Sequence, residues 1–187
     1  PVTDVVVTCV TSNFTIGGNV TGLSGAGLVL QNNLGNNLTV SANGAFVFTT
    51  PVASNVAYSV SVFAQPATPS QICTVTSGSG TVTSANITTV AVNCVTSTFT
   101  VGGTVTGLTG TTGLVLRNNG LNPLTVAANA TSFTFTTTPI ASGAAYAVSV
   151  STQPTNPSQI CTVTGGGSGI GTGTVGSGPV TDVVVTC

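Results

Sequence analysis

Five cysteines are the residues whose type and spacing predict covalent chemistry in this chain. Cys9, Cys94 and Cys187 end three similar segments, spaced by 85 residues (9 to 94) and 93 residues (94 to 187), while Cys73 and Cys161 each end a PSQIC sequence. The chain has no histidine and no Cys-x-x-Cys pair, so the cysteines favour disulfides over a zinc site. We therefore expect an oxidising compartment, outside the cell or at its surface.

The cysteine pairing has two solutions. The favoured one contains the pairs Cys73–Cys94 and Cys161–Cys187, because each pair brackets what reads as a single β-hairpin. Cys9 would then pair with a preceding repeat or subunit. The alternative contains the pairs Cys9–Cys73 and Cys94–Cys161 and leaves Cys187 over. Spacing alone does not exclude it.

Charged side chains are limited to Asp4, Asp182 and Arg117. A serine or threonine nucleophile needs a base, and the two aspartates occupy the same position of an identical segment, where a turn or solubilising role is the ordinary one. Calcium needs several oxygen ligands with carboxylates among them, and phosphate backbones need a basic surface. We therefore expect no enzyme, no metal, no cofactor and no nucleic-acid partner.

Three glycines, Gly171, Gly173 and Gly176, match the pattern G-x-G-x-x-G. A dinucleotide site requires this pattern to open a helix after a strand, whereas here a strand ending in Cys187 follows. The surrounding stretch, Gly165–Gly178, predicts a flexible Gly/Ser/Thr loop within a hairpin. Five N-x-S/T sequons are readily produced by chance in so Thr- and Asn-rich a chain, and they leave glycosylation open: Asn13, Asn19, Asn37, Asn86 and Asn129.

Repeats divide the chain. The sequence PVTDVVVTC occurs identically at Pro1–Cys9 and Pro179–Cys187, and a looser repeat relates FTIGGNVTGL at Phe14 to FTVGGTVTGL at Phe99. The expected domains are 10–94 and 95–187, with 1–9 as the last strand of a preceding repeat or a strand that completes a neighbouring subunit. The short junction Val95–Thr98 predicts that successive domains stack stiffly.

Period-two alternation and the lack of helix signals predict an all-β chain. In the first copy the expected strands are Phe14–Leu23, Gly27–Gln31, Leu38–Ala42, Ala45–Thr49, Ala57–Ala64, Ile72–Thr76 and Thr88–Cys94. Alternation also assigns the core face. The expected core residues are Leu38, Val40, Phe46, Phe48, Tyr58, Val60, Val62, Val90, Val92 and Cys94, and in the second copy Phe133, Phe135, Tyr146, Val148, Val150 and Cys161. No apolar run reaches the length of a membrane span.

Three motifs carry a family resemblance: Gly18-Asn-Val-Thr-Gly22, NGAFVF at Asn43–Phe48 and YSVSV at Tyr58–Val62. They resemble the prealbumin-like sandwiches of bacterial surface proteins, including carboxypeptidase-regulatory-like and collagen-adhesin B-type repeats. The whole repeat is similar to Ig-like tandem repeats of very large secreted bacterial proteins. The resemblance implies two tandem seven-stranded Ig-like (prealbumin-like) β-sandwich domains, stapled by disulfides. Relatives can crosslink Lys to Asn, which this chain cannot do without lysine.

The near absence of charge favours self-association, since soluble β-domains normally keep sheet edges apart with Lys and Glu. We expect a structural building block of an extracellular fibre or surface stalk, with Pro1–Cys9 as a strand that can be donated between chains. The alternative is an adhesin scaffold whose exposed loops, foremost Gly165–Gly178, bind a glycan or host protein.

Overall fold

All regular structure in the described part of the chain is β-strand. The structure is a computed structural model that describes residues 4–110 and 113–187, and in these ranges it contains no helix. The predicted all-β class is therefore confirmed. The strands are β1 (Asn13–Phe14), β2 (Ile16–Thr21), β3 (Leu28–Asn32), β4 (Asn36–Val40), β5 (Gly44–Val47), β6 (Val52–Ala53), β7 (Ala57–Ala64), β8 (Gln71–Thr76), β9 (Ser79–Thr81), β10 (Ile87–Thr96), β11 (Thr98–Thr106), β12 (Val115–Asn118), β13 (Leu121–Thr125), β14 (Ser132–Ala141), β15 (Ala145–Thr152), β16 (Thr162–Gly165), β17 (Thr172–Thr174) and β18 (Val180–Thr186).

The chain forms two compact units. The first contains Pro1–Pro66 and Ile72–Val95, and the second contains Ala67–Gln71 and Thr96–Cys187. Five residues of the first sequence repeat, Ala67–Gln71, therefore belong to the second unit. The sequence repeat and the compact unit differ at this loop.

Each unit has two four-stranded sheets. In the first unit the orders are β5-β2-β10-β8 and β4-β3-β7-β9, with a small β1-β6 pair beside them. In the second unit the orders are β14-β11-β18-β16 and β13-β12-β15-β17. Strand β2 runs parallel to β10, with Val20 opposite Val92, and β11 runs parallel to β18, with Val105 opposite Val185. Two sheets that share one core fit a β-sandwich.

Both sheets of each unit contribute to one core, as period-two alternation requires. In the first unit Val20 of one sheet and Leu30 of the other are both fully buried, in one cluster with Phe48 and Val92. The expected core residues are confirmed: thirteen of the sixteen are buried, and Leu38, Val62 and Val150 are half-buried and packed against the core.

A glycine allows the parallel pair of each unit to approach closely. Gly18 lies opposite Val90, and a Cβ at Gly18 would lie 1.7 Å from the Val90 carbonyl oxygen. Gly103 lies opposite Val183, with the same 1.7 Å separation from its carbonyl oxygen. No side chain fits at either position, so the G-G dipeptide of each repeat has a packing reason.

Two expectations about the final hairpin of each repeat are wrong. The segment between Cys73 and Cys94 is not a single hairpin, because β9 leaves the β8-β10 sheet and pairs with β7 in the other sheet. Likewise Gly165–Gly178 is not simply a loop, since it contains β17, which pairs with β15. The cause is one buried valine after each short strand, Val82 at 0% and Val175 at 1% exposure, whose burial holds the segment against the core.

Candidate functional site

The structure pairs the cysteines within neighbouring strands. Cys73 of β8 bonds to Cys94 of β10, and Cys161, just before β16, bonds to Cys187 after β18. In each pair the Cα atoms are 3.9 Å apart. Since both bonds join strands of one sheet beside its parallel pair, they staple the final strand of each unit to its neighbour.

Cys9 is a free, exposed thiol. Its segment is identical to the segment that forms β18, yet the two differ in burial. Val5 and Val7 are 79% and 78% exposed, whereas the equivalent residues Val183 and Val185 are both 0% exposed. The same sequence thus has buried valines at Asp182–Cys187 and exposed valines at Asp4–Cys9.

The three charged side chains do not meet. Asp4 and Asp182 are exposed, and the Asp182 backbone oxygen accepts from the Gly166 amide at 3.2 Å. Arg117 donates through Nη1 to the Gly120 oxygen at 3.2 Å. Residues 4–110 and 113–187 contain no cluster of three or more His, Cys, Asp or Glu that could hold a metal ion.

Two of the three pattern glycines, Gly171 and Gly173, serve packing in the second unit. Gly171 has φ of 79°, and its oxygen accepts from the Val148 amide at 2.9 Å. A Cβ at Gly173 would lie 2.7 Å from the buried hydroxyl of Tyr146, which accepts from the Gly167 amide at 3.1 Å. Strand β17 rather than a helix N-terminus follows Gly171, so a phosphate cradle of the dinucleotide type is not formed. Tyr146, in turn, is a core residue whose hydroxyl fixes the Gly-rich segment.

A concave surface of about 530 Å³ lies on the first unit. Its lining residues are neutral: Asn32, Asn33, Gly35, Asn36, Thr50, Pro51, Val52, Ala53 and Val56. Such a lining can donate and accept hydrogen bonds but supplies no acid, base or nucleophile-activating pair. The asparagines of the five sequons are all exposed.

Sequence reasoning missed one surface, which we call the acceptor face. In the second unit it consists of Ser97, Ser142, Gly143, Val175 and Gly176, and in the first unit of Ser12, Ser54, Asn55, Val82 and Thr83. Ala67–Gln71, here called the docking loop, lies on the second unit's face, where the Ser70 amide donates to Ser142 Oγ at 2.9 Å. The signal in the sequence is weak: an Ala-Ser dipeptide at the same place in both repeats (Ala53-Ser54 and Ala141-Ser142).

Within the described ranges, no helix is long and apolar enough to cross a membrane.

No known protein-family model matches the chain, and no curated protein is significantly similar to it.

Proposed function

We propose that this chain is a structural building block of an extracellular fibre or cell-surface stalk. In this proposal its two units are tandem seven-stranded Ig-like, prealbumin-like β-sandwich domains, joined end to end with further copies. Two disulfides support a compartment outside the reducing cytoplasm. The proposal assigns the chain no reaction.

The observation that carries the proposal is the unequal burial of two identical segments. In Pro179–Cys187 the alternate valines fill a core and Cys187 is disulfide-bonded. In Asp4–Cys9 the equivalent valines, Val5 and Val7, are exposed and Cys9 is free. If Val5 and Val7 were buried as Val183 and Val185 are, the burial of each side chain would contribute about 1.5 to 3 kcal/mol of stabilisation. A preceding copy that supplies the sheet and a PSQIC cysteine satisfies both the valines and the thiol.

The lack of charge supports the same proposal. With three charged side chains in 187 residues, the units have almost no like-charge repulsion to keep sheet edges apart. A neutral surface of Thr, Ser, Asn and Val therefore favours association between copies.

The test is microscopy of native material together with disulfide mapping under non-reducing conditions. We expect long uniform filaments, with Cys9 linked to a PSQIC-containing peptide. One polypeptide keeps that peptide in the same chain, whereas strand donation between subunits places it in another chain, and reduction then separates the two. Solitary particles with a freely alkylated Cys9 contradict the proposal, and solitary particles that bind a glycan array support an adhesin scaffold instead.

A matched pair of substitutions sharpens this test. Val7→Asp puts a carboxylate where the equivalent Val185 is 0% exposed, which costs several kcal/mol in a covered strand. Thr8→Asp puts the same charge where the equivalent Thr186 faces solvent. We expect Val7→Asp to abolish joining of copies in a filament-assembly assay and Thr8→Asp to preserve it. Equal assembly of both variants would falsify the role given to this segment.

A further inference from the structure

In the second unit, Ser70 of the docking loop is hydrogen-bonded through both its backbone amide and its backbone carbonyl. The Ser70 amide donates to Ser142 Oγ at 2.9 Å, and the Ser70 oxygen accepts from the Ser97 amide at 2.9 Å. Ser142 Oγ itself donates to the Gly176 oxygen at 2.7 Å. That donation leaves its lone pairs directed to the loop, so the hydroxyl is oriented to receive Ser70.

The first unit contains the same acceptor face. The Ser54 amide donates to the Ser12 backbone oxygen at 2.9 Å, and in the second unit the Ser142 amide donates to the Ser97 backbone oxygen at 2.8 Å. Ser54 Oγ donates to the Thr83 oxygen, the counterpart of Gly176. The Asn55 amide donates to the Val82 oxygen at 2.7 Å, and the Gly143 amide to Val175 at 2.8 Å. The hydroxyl of Ser54 is therefore oriented as that of Ser142 is.

Burial distinguishes the two faces. Ser142 is 6% exposed and Ser97 is half-buried, whereas Ser54 is half-buried and Ser12 is exposed. The two copies of the loop differ in the same direction. In the docking loop Pro69 and Ser70 are half-buried and Gln71 is 2% exposed. In the second copy of the loop, Thr155–Gln159, Pro157 and Ser158 are exposed and Gln159 is half-buried. Each copy of the chain thus has one open loop and one open face.

We propose that the open loop, Thr155–Gln159, docks on the acceptor face of the first unit in the next copy of this chain. The Ser158 amide donates to that copy's Ser54 Oγ, and the Ser158 oxygen accepts from its Ser12 amide. This inference rests on the proposed end-to-end array and adds the surface by which successive copies recognise each other. Loop and face carry no charge, so the interaction is insensitive to salt.

The loop Thr155–Gln159 is similar to the docking loop in sequence and in backbone pairing. Both loops have the sequence Pro-Ser-Gln-Ile-Cys at equivalent positions, and both form the same backbone bridge, Ala67 with Ser70 and Thr155 with Ser158. Two residues of the face differ, since Asn55 replaces Gly143 and Thr83 replaces Gly176. A Cβ at Gly143 would lie 3.3 Å from Pro69 Cβ, so a shift of a few tenths of an ångström accommodates the Cβ atom of the asparagine.

The experiment compares hydrogen exchange at Ser158 in the chain as it is and in the chain extended past Cys187 by a second copy of residues 10–94. The extended chain still contains one copy of the loop Thr155–Gln159, because the added residues 10–94 do not include it, so the exchange of Ser158 is assigned without ambiguity. We expect Ser158 exchange to slow by at least about fivefold in the extended chain, the equivalent of one net hydrogen bond of about 1 kcal/mol.

A matched control uses one substitution at two places. Ser54→Ala in the added copy should restore fast exchange at Ser158, whereas Ser54→Ala in the original first unit should leave it slow. Equal exchange in the original and extended chains overturns the docking, as does an equal effect of the two Ser54 variants. Because the extended chain is covalent, this result is independent of whether native material forms filaments, which tests the proposed function separately.

Discussion

The two compact units are alike in their buried cores and differ in the burial of equivalent segments outside those cores. Their parallel strand pairs, buried phenylalanines and disulfides correspond position by position, although the two repeats differ in many surface residues. The two copies of the docking loop, in contrast, share Pro-Ser-Gln and differ in burial, and the sequence Asp-Val-Val-Val-Thr-Cys is exposed at Asp4–Cys9 while its valines Val183 and Val185 are buried at Asp182–Cys187. The comparison teaches that local sequence decides the core of each unit, while a neighbouring segment decides the burial of its ends.

The largest test of this correspondence is the close approach of the parallel strands. Gly18→Ala and Gly103→Ala would each place a Cβ 1.7 Å from a backbone oxygen, so the strands must separate. We expect each variant to lose at least about 4 kcal/mol of unfolding free energy, measured by urea denaturation.

Two other glycines provide the controls. Gly35→Ala in the first unit and Gly176→Ala in the second meet no atom closer than 3.9 Å, so we expect changes within about 0.5 kcal/mol. A tolerated Gly103→Ala beside a disruptive Gly18→Ala would break the comparison between the two parallel pairs.

The next test concerns the buried aromatic pair of each unit. Phe46 and Phe48 pack edge to face with ring centroids 5.9 Å apart, and Phe133 and Phe135 do the same at 5.9 Å. Phe48→Ala and Phe135→Ala should each cost about 3 to 4 kcal/mol through lost burial and the cavity left behind. Phe63→Ala, at a side chain 61% exposed, is the control, and in the same denaturation assay an equal cost there would remove the assignment of these rings to the core.

The smallest expected difference is between the two disulfides. They close sequence separations of 21 and 26 residues, for which chain entropy gives about 3 kcal/mol each and a difference of only a few tenths. The double variants Cys73→Ala/Cys94→Ala and Cys161→Ala/Cys187→Ala should therefore be destabilised nearly equally, as measured by calorimetry of oxidised protein. A cost confined to one unit would mean that the two staples do not serve equivalent strands.

Much of the fold could be predicted because the pattern is local. Alternation placed Phe46 and Phe48, Tyr58 and Val60, and Val90 and Val92 in the core, and burial confirms them. Strands β9 and β17 could not be predicted, because Ser79–Thr81 and Thr172–Thr174 have three residues each and no apolar alternation. They are strands because they pair with β7 and β15 and lead to a buried valine, a contact that lies outside any local window.

The acceptor face escaped prediction for a related reason. Ser54 and Ser142 look like ordinary loop serines, and their common role is visible only when hydrogen bonds to Ser12 and Ser97, far earlier in the chain, are known. The hydrogen-bond partner of a serine hydroxyl cannot be read from the neighbouring sequence, because the hydroxyl both donates and accepts.

By itself the sequence determined the all-β class, the repeat and the face of each strand that is buried, because alternation of apolar side chains needs only neighbours along the chain. Tertiary structure decided which strands are parallel neighbours, which cysteines meet, and which of two identical sets of valines is covered. These outcomes depend on pairing between residues distant in sequence, and Asp4–Cys9 and Asp182–Cys187 have the same sequence and different burial.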